Sequence, residues 1–348
     1  MNVRPDKQYV DPLSPPRPVA AYRDPSREAW VLSRYADVLA AFREPRLQLG
    51  RGRSEDPPEV SETGLQSRVR LETLAALSAS KLAEWHVQVE RLALTLIDQL
   101  PRSRPVDIVQ EFARPWSLAM AIIVTGANPA DSERLGELAA QVSLATADPS
   151  NSAVQGDVTA ANMELERSLQ NSTIPMGGPA FVALSQTLPC FLANAWLALL
   201  RNPSELARLR NQPTLMPRAI EELLRYAGIA QKVSRHAIAP VTLGDISIAQ
   251  GGRVILLLAS ANRDPDQFPL PDRLDLTRRI AGQVAFGVGP HSCVGASLIR
   301  TMAAVATRVL VDSFAEGQGN RPIEWQGGSG FRWAASLYVL LRRDGHAG

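Results

Sequence analysis

Residues 286–300 constrain this 348-residue chain more than any other stretch, and they read FGVGPHSCVGASLIR. Cys293, one of two cysteines in the chain, has three glycines within eight residues of it. Glycines allow positive φ and a close approach of the backbone to a ligand, and N–H groups in such a loop can temper the charge of a sulfur atom. An apolar-periodic segment follows at once, so we expect a helix that begins at Cys293 and stabilises its thiolate.

The residues alone leave two interpretations of Cys293. A lone cysteine in a glycine-rich turn is more often a buried core residue than a functional one. The alternative is a thiolate that binds a large flat cofactor, which the glycines would allow to approach the backbone.

The full pattern, F-G-x-G-x-H-x-C-x-G-x-x-L-x-R, resembles the haem-binding loop of the cytochrome P450 family. In that family the cysteine thiolate is the axial ligand of the haem iron. The resemblance implies haem b (iron protoporphyrin IX) with Cys293 on the iron and Phe286 packed near the haem and the sulfur. It also implies that His291 reaches a haem propionate, and that Gly287 and Gly295 belong to the cofactor-binding loop.

A second motif lies at residues 221–226, EELLRY. Glu222 and Arg225 are three residues apart, so they share a helix face and can pair. On its own an E-x-x-R pattern is usually a surface ion pair. Here FPLPDRL at residues 268–274 resembles the family's meander, which implies that Arg273 joins the pair and that the three charges lock the cysteine loop behind the haem.

Two arginines are further candidates for haem propionate contacts. Arg235 precedes a strand region, as the family's propionate-binding arginine does, and a guanidinium suits a planar carboxylate. In the family's H-x-x-x-R pair, the aligned positions here are Gln66 and Arg70. The arginine is present and the histidine is not, and on spacing alone Arg70 would be a solvated helix face.

The family's distal helix carries A/G-G-x-D/E-T, and the matching text here is Ala183-Leu184-Ser185-Gln186-Thr187. In relatives the acid and the threonine organise water and deliver protons to the reacting dioxygen. Thr187 is retained, and we expect its hydroxyl to bond the carbonyl of Ala183. Gln186 replaces the acid and can orient water but carries no titratable proton, and we expect Leu184 to narrow the space above the iron. Pro189 predicts a kink.

The order of elements predicts a mainly α (α+β) fold. Residues 1–28 are proline-rich and predict an extended N-terminal segment, and residues 29–348 predict a single P450-like domain. Helices crowd the first two-thirds of the chain, including an apolar one over residues 180–200, and strands cluster late. Residues 148–178 are much shorter than the two helices that roof the substrate cavity in relatives. This predicts an open pocket, a small substrate, or a substrate presented by a partner.

Composition excludes several function classes. The formal net charge is +2 and there is no basic block, so nucleic acid is not an expected partner. The N-terminus lacks the apolar core of a signal peptide, and we expect no membrane span and a cytoplasmic protein. Two cysteines give no disulfide framework.

The resemblance implies an oxidoreductase, a haem-thiolate monooxygenase that inserts one oxygen atom from O2 into a small organic substrate. Electrons would come from NAD(P)H through a reductase and a ferredoxin or flavodoxin. Gln186 motivates an alternative, the same haem fold in peroxide-driven oxidation, oxidative coupling, nitrogen-oxide chemistry or rearrangement. A third possibility is a non-catalytic haem-binding or sensor protein.

Overall fold

The computed structural model describes residues 13–49, 64–148, 158–279, 282–289, 291–317 and 322–342, without the side chains of residues 64–67 and 315–317. The helices in these ranges are α1 (Tyr35–Arg43), α2 (Gly64–Ala76), α3 (Ala79–Gln99), α4 (Arg114–Thr125), α5 (Ser132–Ala147), α6 (Val158–Ser168), α7 (Gly177–Val182), α8 (Leu188–Arg201), α9 (Pro203–Asn211), α10 (Met216–Ala227), α11 (Leu258–Ala261) and α12 (Ala296–Ser313). The strands are β1 (Tyr22–Asp24), β2 (Ala29–Leu32), β3 (Leu47–Gln48), β4 (Val106–Asp107), β5 (Lys232–Ala237), β6 (Val241–Leu243), β7 (Ile246–Ile248), β8 (Arg253–Leu257), β9 (Phe314–Gly317), β10 (Trp325–Gly327), β11 (Arg332–Ala334) and β12 (Tyr338–Leu341).

The main core is helical and surrounds α8. This helix is apolar on all sides, and its residues from Leu188 to Leu199 are buried, as expected of a helix without a polar face. Together α7, a π-helical turn and α8 form one continuous helix, Gly177–Arg201, that is long and apolar enough to cross a membrane by length and composition. Because 78% of its most apolar window is buried inside the protein, its apolarity is explained by the core.

The largest sheet has the strand order β1-β2-β8-β5-β3. β2 runs parallel to β8, and β5 runs antiparallel to β8 with Arg235 opposite Val254 and His236 opposite Arg253. β1 falls within the N-terminal segment that we predicted to be extended, and its antiparallel pairing with β2 attaches it to this sheet. The prediction missed β5 as a strand, because its sequence KVSRHA mixes charged and apolar residues without a simple alternation.

A small antiparallel hairpin of β10 and β11 connects the helical core to the end of α5. The side chain of Asn194 on α8 bonds both the carbonyl of Arg332 and the N–H of Ala334, each at 3.0 Å. At the hairpin turn, the N–H groups of Gly330 and Phe331 donate to the carbonyl of Ala147, the last residue of α5. The hairpin therefore holds α5 against α8.

Helices dominate and the strands form smaller sheets, so the predicted mainly α (α+β) class is confirmed. α2 and α3 are separate helices, because the Ser78 hydroxyl accepts the Lys81 N–H at 3.4 Å and caps the second one. One helix boundary differs from the prediction. The helix expected to begin at Cys293 begins at Ala296.

Candidate haem site

The loop before α12 presents the Cys293 side chain to solvent. The Cys293 N–H donates to the carbonyl of Phe286 at 2.8 Å, and the Cys293 carbonyl accepts the Ala296 N–H at 3.3 Å. Two turn residues therefore separate the cysteine from its helix, so the expectation that it occupies the first helical position was wrong. The geometry favours a thiol held for a ligand over the buried core cysteine of the simpler interpretation.

The electrostatic surroundings of Cys293 include two cations and a backbone donor. Desolvation by the surrounding protein raises the pKa of the thiol, and the Gly295 N–H and the charges of Arg70 and Arg300 oppose that rise. In the haem-free protein the proton therefore tends to stay on the sulfur. Binding to a metal ion removes such a proton outright.

Two glycines in the loop have a left-handed backbone and pack closely against α1. Gly287 and Gly289 have φ of +68° and +79°, a conformation that disfavours other residues. A Cβ atom at Gly287 would lie 3.3 Å from the Phe42 ring, and one at Gly289 would lie 3.1 Å from the Phe42 carbonyl. The loop therefore depends on glycine to pack against α1.

Arg235 on β5 is a buried cation beside Phe42, the residue against which the cysteine loop packs. Only 3% of the residue is exposed, and its guanidinium lies 5.2 Å from the centre of the Phe42 ring. Its Nη1 donates to the carbonyl of Ser234, and no acid in the described parts of the chain forms an ion pair with it. Burial lowers the pKa of Arg235 to about 10. A buried charge in this state is suited to an anionic group that the protein itself does not supply.

Arg70 on α2 reaches the cysteine loop from the other side. Its Nη2 donates to the Ser292 carbonyl at 2.5 Å and lies 3.3 Å from the Ser292 hydroxyl. His291 is half-buried, two residues before Cys293. Gln66 lies in α2, one turn before Arg70, and the structure does not describe its side chain. The structure thus brings Arg70 to the cysteine loop that contains His291, and the propionate contacts of both residues stay predictions.

The buried pair Glu222 and Arg225 forms as predicted, but the third charge is a different residue. Two nitrogens of Arg225 donate to the Glu222 carboxylate at 2.8 and 2.9 Å, and neither side chain is exposed. Arg278 provides the second cation, with its Nε 3.1 Å from Glu222. The Arg273 side chain is exposed, and this residue contributes only its carbonyl, 3.4 Å from Arg225. The expectation for Arg273 was wrong because the irregular meander turns its side chain to solvent.

Sequence reasoning also missed a link between the loop and α10. Arg300, the last residue of the loop motif, donates to the Glu221 carboxylate, and its guanidinium lies 4.9 Å from the centre of the Phe286 ring. Gln283 donates to the same carboxylate at 3.1 Å. The signal in the sequence was the adjacent pair Glu221 and Glu222, because each acid binds a different part of the proximal side, the side of the site that carries Cys293.

The distal helix contains a π-helical turn, Ala183–Thr187, between α7 and α8. The Leu188 N–H donates to the carbonyl of Ala183, and Pro189 follows without an N–H of its own. A π-bulge, a feature that is frequent at functional sites, thus lies immediately before Pro189, where the sequence predicts a kink. The expected bond from the Thr187 hydroxyl to Ala183 is absent between these two described residues, which leaves the Thr187 hydroxyl available on a half-buried side chain.

The neighbours of Thr187 differ in what they contact. Gln186 donates through its Nε2 to the Gly136 carbonyl of α5 at 3.3 Å. Ala183 is half-buried, whereas Leu184 has no exposed surface and packs in the main core. Leu184 therefore lines no open space, and the expectation that it narrows the space above the iron was wrong.

The residues present fit a haem. An accessible thiol in a glycine-dependent loop, a buried guanidinium without an acid partner and an available threonine hydroxyl suit the iron, a propionate and the reacting side of such a group, respectively. Among the described residues, no cluster of three or more His, Cys, Asp or Glu side chains could hold a separate metal ion.

Comparison with known proteins identifies the family. The family model for cytochrome P450 matches residues 205–322. Cytochrome P450 107B1 of Saccharopolyspora erythraea is 31% identical over 342 residues, which cover 83% of this chain and 82% of that protein. The chain belongs to the cytochrome P450 family.

This P450 is also 30% identical to the mycinamicin VIII C21 methyl hydroxylase of Micromonospora griseorubida, over 78% of this chain and 79% of that protein. Its fold is similar to that of P450BioI in complex with an acyl carrier protein ligated to hexadec-9Z-enoic acid, with a TM-score of 0.80 at 24% identity over 90% of this chain and 92% of that one. With relatives of these kinds, the protein is an enzyme of the P450 oxidoreductase type, a haem-thiolate monooxygenase.

Proposed function

We propose that this P450 carries haem b and inserts one atom of O2 into a small organic substrate in the cytoplasm. Electrons come from NAD(P)H through a reductase and a ferredoxin or flavodoxin. The observation that carries the proposal is the exposed Cys293 thiol, in a loop that packs on Phe42 beside the buried Arg235. One side of the site offers a ligand for the iron and a counter-charge for a propionate.

The haem, when bound, supplies the redox chemistry that activates dioxygen and oxidises the substrate. Cys293 would hold the iron through Sγ, and Arg235, Arg70 and His291 would neutralise the propionates. Phe286, whose carbonyl accepts the Cys293 N–H and whose ring lies under the Arg300 guanidinium, would pack near the sulfur. The buried Glu222 carboxylate fixes this proximal side by its bonds to Arg225 and Arg278.

On the distal side, Thr187 Oγ1 can donate one hydrogen bond and accept others. Gln186 holds the helix to α5 through Gly136 and keeps its amide oxygen as an acceptor for water. These residues orient water and pass hydrogen bonds, but neither Gln186 nor Thr187 titrates near neutral pH.

Substrate would reach this P450 under a short roof formed by the region of residues 148–178. The helix of that region, α6, has only 11 residues. A roof of this size suits a small substrate, or one that a partner protein presents.

The test uses the haem-loaded protein and isotope-labelled dioxygen with NADPH, a reductase and a ferredoxin. The substrate is first found by screening small molecules for an absorption change that reports displacement of the iron-bound water. With that substrate, we expect labelled oxygen in the hydroxylated product. Turnover with peroxide alone, and none with reductant and dioxygen, would overturn the proposal.

A second candidate is the same haem fold in peroxide-driven or other atypical chemistry, and Gln186 favours it. A positioned acid typically contributes ~10²–10⁴-fold to a proton-dependent step, and Gln186 provides none. Gln186→Glu separates the two candidates. If the enzyme uses O2 and its rate is limited by the supply of protons, this variant raises turnover with reductant and O2 relative to turnover with peroxide. If the ratio of these two turnover rates does not change, the second candidate is favoured.

A further inference from the structure

One face of the large sheet carries a group of basic side chains that the haem site does not use. Side chains alternate along a strand, so Lys232, Ser234 and His236 of β5 lie on the face opposite Arg235. Arg253 of β8 is paired with His236 and shares that face. Arg27, in the turn between β1 and β2, lies beside it. We call Arg27, Lys232, His236 and Arg253 the basic face.

These groups are close enough to repel one another. Burial and then the charge of Arg253 lower the pKa of both Arg27 and His236. Burial, followed by Arg27 and Arg253, lowers the pKa of Lys232 to about 8, although Asp148 opposes the shift. Arg253 is the common neighbour of the other three.

Among the residues that the structure describes, two nitrogens of the basic face are buried without a hydrogen-bond partner, namely Arg253 Nε and His236 Nδ1. Arg253 Nη2 lies 3.5 Å from the Ser234 hydroxyl. A buried donor that makes no hydrogen bond costs about 1–3 kcal/mol. Burial of these two nitrogens therefore lowers the stability of the fold and does not add to it.

Two acids lie near the basic face, and they leave most of it unpaired. Asp24 forms an ion pair with Arg27 at 3.2 Å, and Asp148 lies within electrostatic range of Lys232. In the parts of the chain that the structure describes, no acid forms an ion pair with Lys232, His236 or Arg253. The remaining positive charge lies on the face of β5 opposite Arg235.

We propose that the basic face binds an oxyanion, the phosphate or carboxylate group of a ligand, between Lys232, His236 and Arg253. A guanidinium with a free Nε edge binds such groups through two parallel hydrogen bonds, and the Lys232 ammonium and His236 supply further donors. The bound anion relieves the repulsion among the cations and satisfies the buried nitrogens. The site lies on the opposite face of β5 from Arg235, so it is separate from the propionate contacts.

The first test measures the thermal midpoint of the haem-loaded protein against the concentration of inorganic phosphate or of acetate, with sodium chloride holding the ionic strength constant. We expect a saturable rise in the wild type and in Arg23→Gln, an exposed arginine on the other face of β1. Arg253→Gln and Lys232→Gln should require at least ~10-fold more anion for the same rise, which corresponds to ~1.4 kcal/mol. The anion with the lower half-saturating concentration identifies phosphate or carboxylate. Equal responses in all four proteins, or no saturable rise beyond chloride, would overturn the proposal.

The second test needs no variant, because the chain contains only three lysines, Lys7, Lys81 and Lys232. Acetylation of the folded protein at pH 8 is followed by mass spectrometry, with Lys81, which pairs with Glu84 on α3, as the internal control. A bound anion covers the Lys232 amine and favours its protonated form. At ten times the half-saturating concentration we expect acetylation of Lys232 to slow ~10-fold by mass action, with Lys81 unchanged. An unchanged ratio of the two rates would contradict the site.

Discussion

The substitution Glu222→Gln tests how much the buried ion pairs of Glu222 with Arg225 and Arg278 stabilise the protein. The Glu222 carboxylate is fully buried and accepts hydrogen bonds from Arg225 Nε, Arg225 Nη2, Arg278 Nε and the Asp275 N–H. Glutamine removes the negative charge and leaves Arg225, whose pKa is already lowered by burial, without its counter-ion. Breaking a buried pair in this way typically costs about 3–5 kcal/mol.

The expected shift in the thermal midpoint follows from chain length. At about 2.1 cal/mol/K per residue, unfolding a chain of this size carries an entropy of about 0.7 kcal/mol/K. A loss of about 3–5 kcal/mol therefore lowers the midpoint by about 4–7 °C. The measurement is thermal unfolding of the haem-loaded protein, followed by far-ultraviolet circular dichroism and by the haem absorbance.

Arg273→Gln is the matched control, because Arg273 contributes a backbone carbonyl and its side chain is exposed. We expect a change within about 0.5 kcal/mol, or under ~1 °C. Arg278→Gln should destabilise more than Arg273→Gln, since its Nε bonds Glu222. If Arg273→Gln destabilised as much as Glu222→Gln while Arg278→Gln did not, the assignment of the third charge would be refuted.

Three further substitutions test individual residues. Arg235→Met should weaken haem binding about 10- to 100-fold, as expected from the loss of a charged hydrogen bond. The haem-loss rate measures this effect, and the thermal midpoint of the haem-free protein should not fall. An equal effect of Arg23→Met on haem loss would argue against the assignment. The pKa of Lys232 is about 8 in the folded protein against an ordinary 10.5, so between these values the unfolded chain binds more protons and this group makes stability rise with pH. Lys232→Met should reduce the gain in thermal midpoint between pH 8 and pH 10, and an unaltered gain would show that Lys232 does not titrate in this window. Gly287→Ala should cost about 1–2 kcal/mol for its left-handed backbone, and an unchanged thermal midpoint would mean that the loop does not require this conformation.

Much of the proximal site could be predicted from the sequence, because its chemistry is carried by short contiguous motifs. The loop around Cys293 and the spacing of Glu222 and Arg225 each correspond to one local structure.

The sequence could not predict features that depend on tertiary geometry. The choice of Arg278 over Arg273 depends on the path of an irregular loop, which has no periodicity to read. Leu184 lies within the π-helical turn, and its burial in the main core depends on the packing of neighbouring elements. β5 was missed because its neighbours in the sheet, and not its own pattern, decide that it is a strand.

The most direct test of the central claim is the absorption spectrum of the reduced, carbon-monoxide-bound protein. A haem with Cys293 as its thiolate ligand predicts a red-shifted band, which should disappear in Cys293→Ala. Cys190→Ala, which removes the other cysteine from a buried position on α8, should retain the band. A red-shifted band that persisted in Cys293→Ala, or one that was absent from the wild type, would contradict the assignment of Cys293 as the iron ligand.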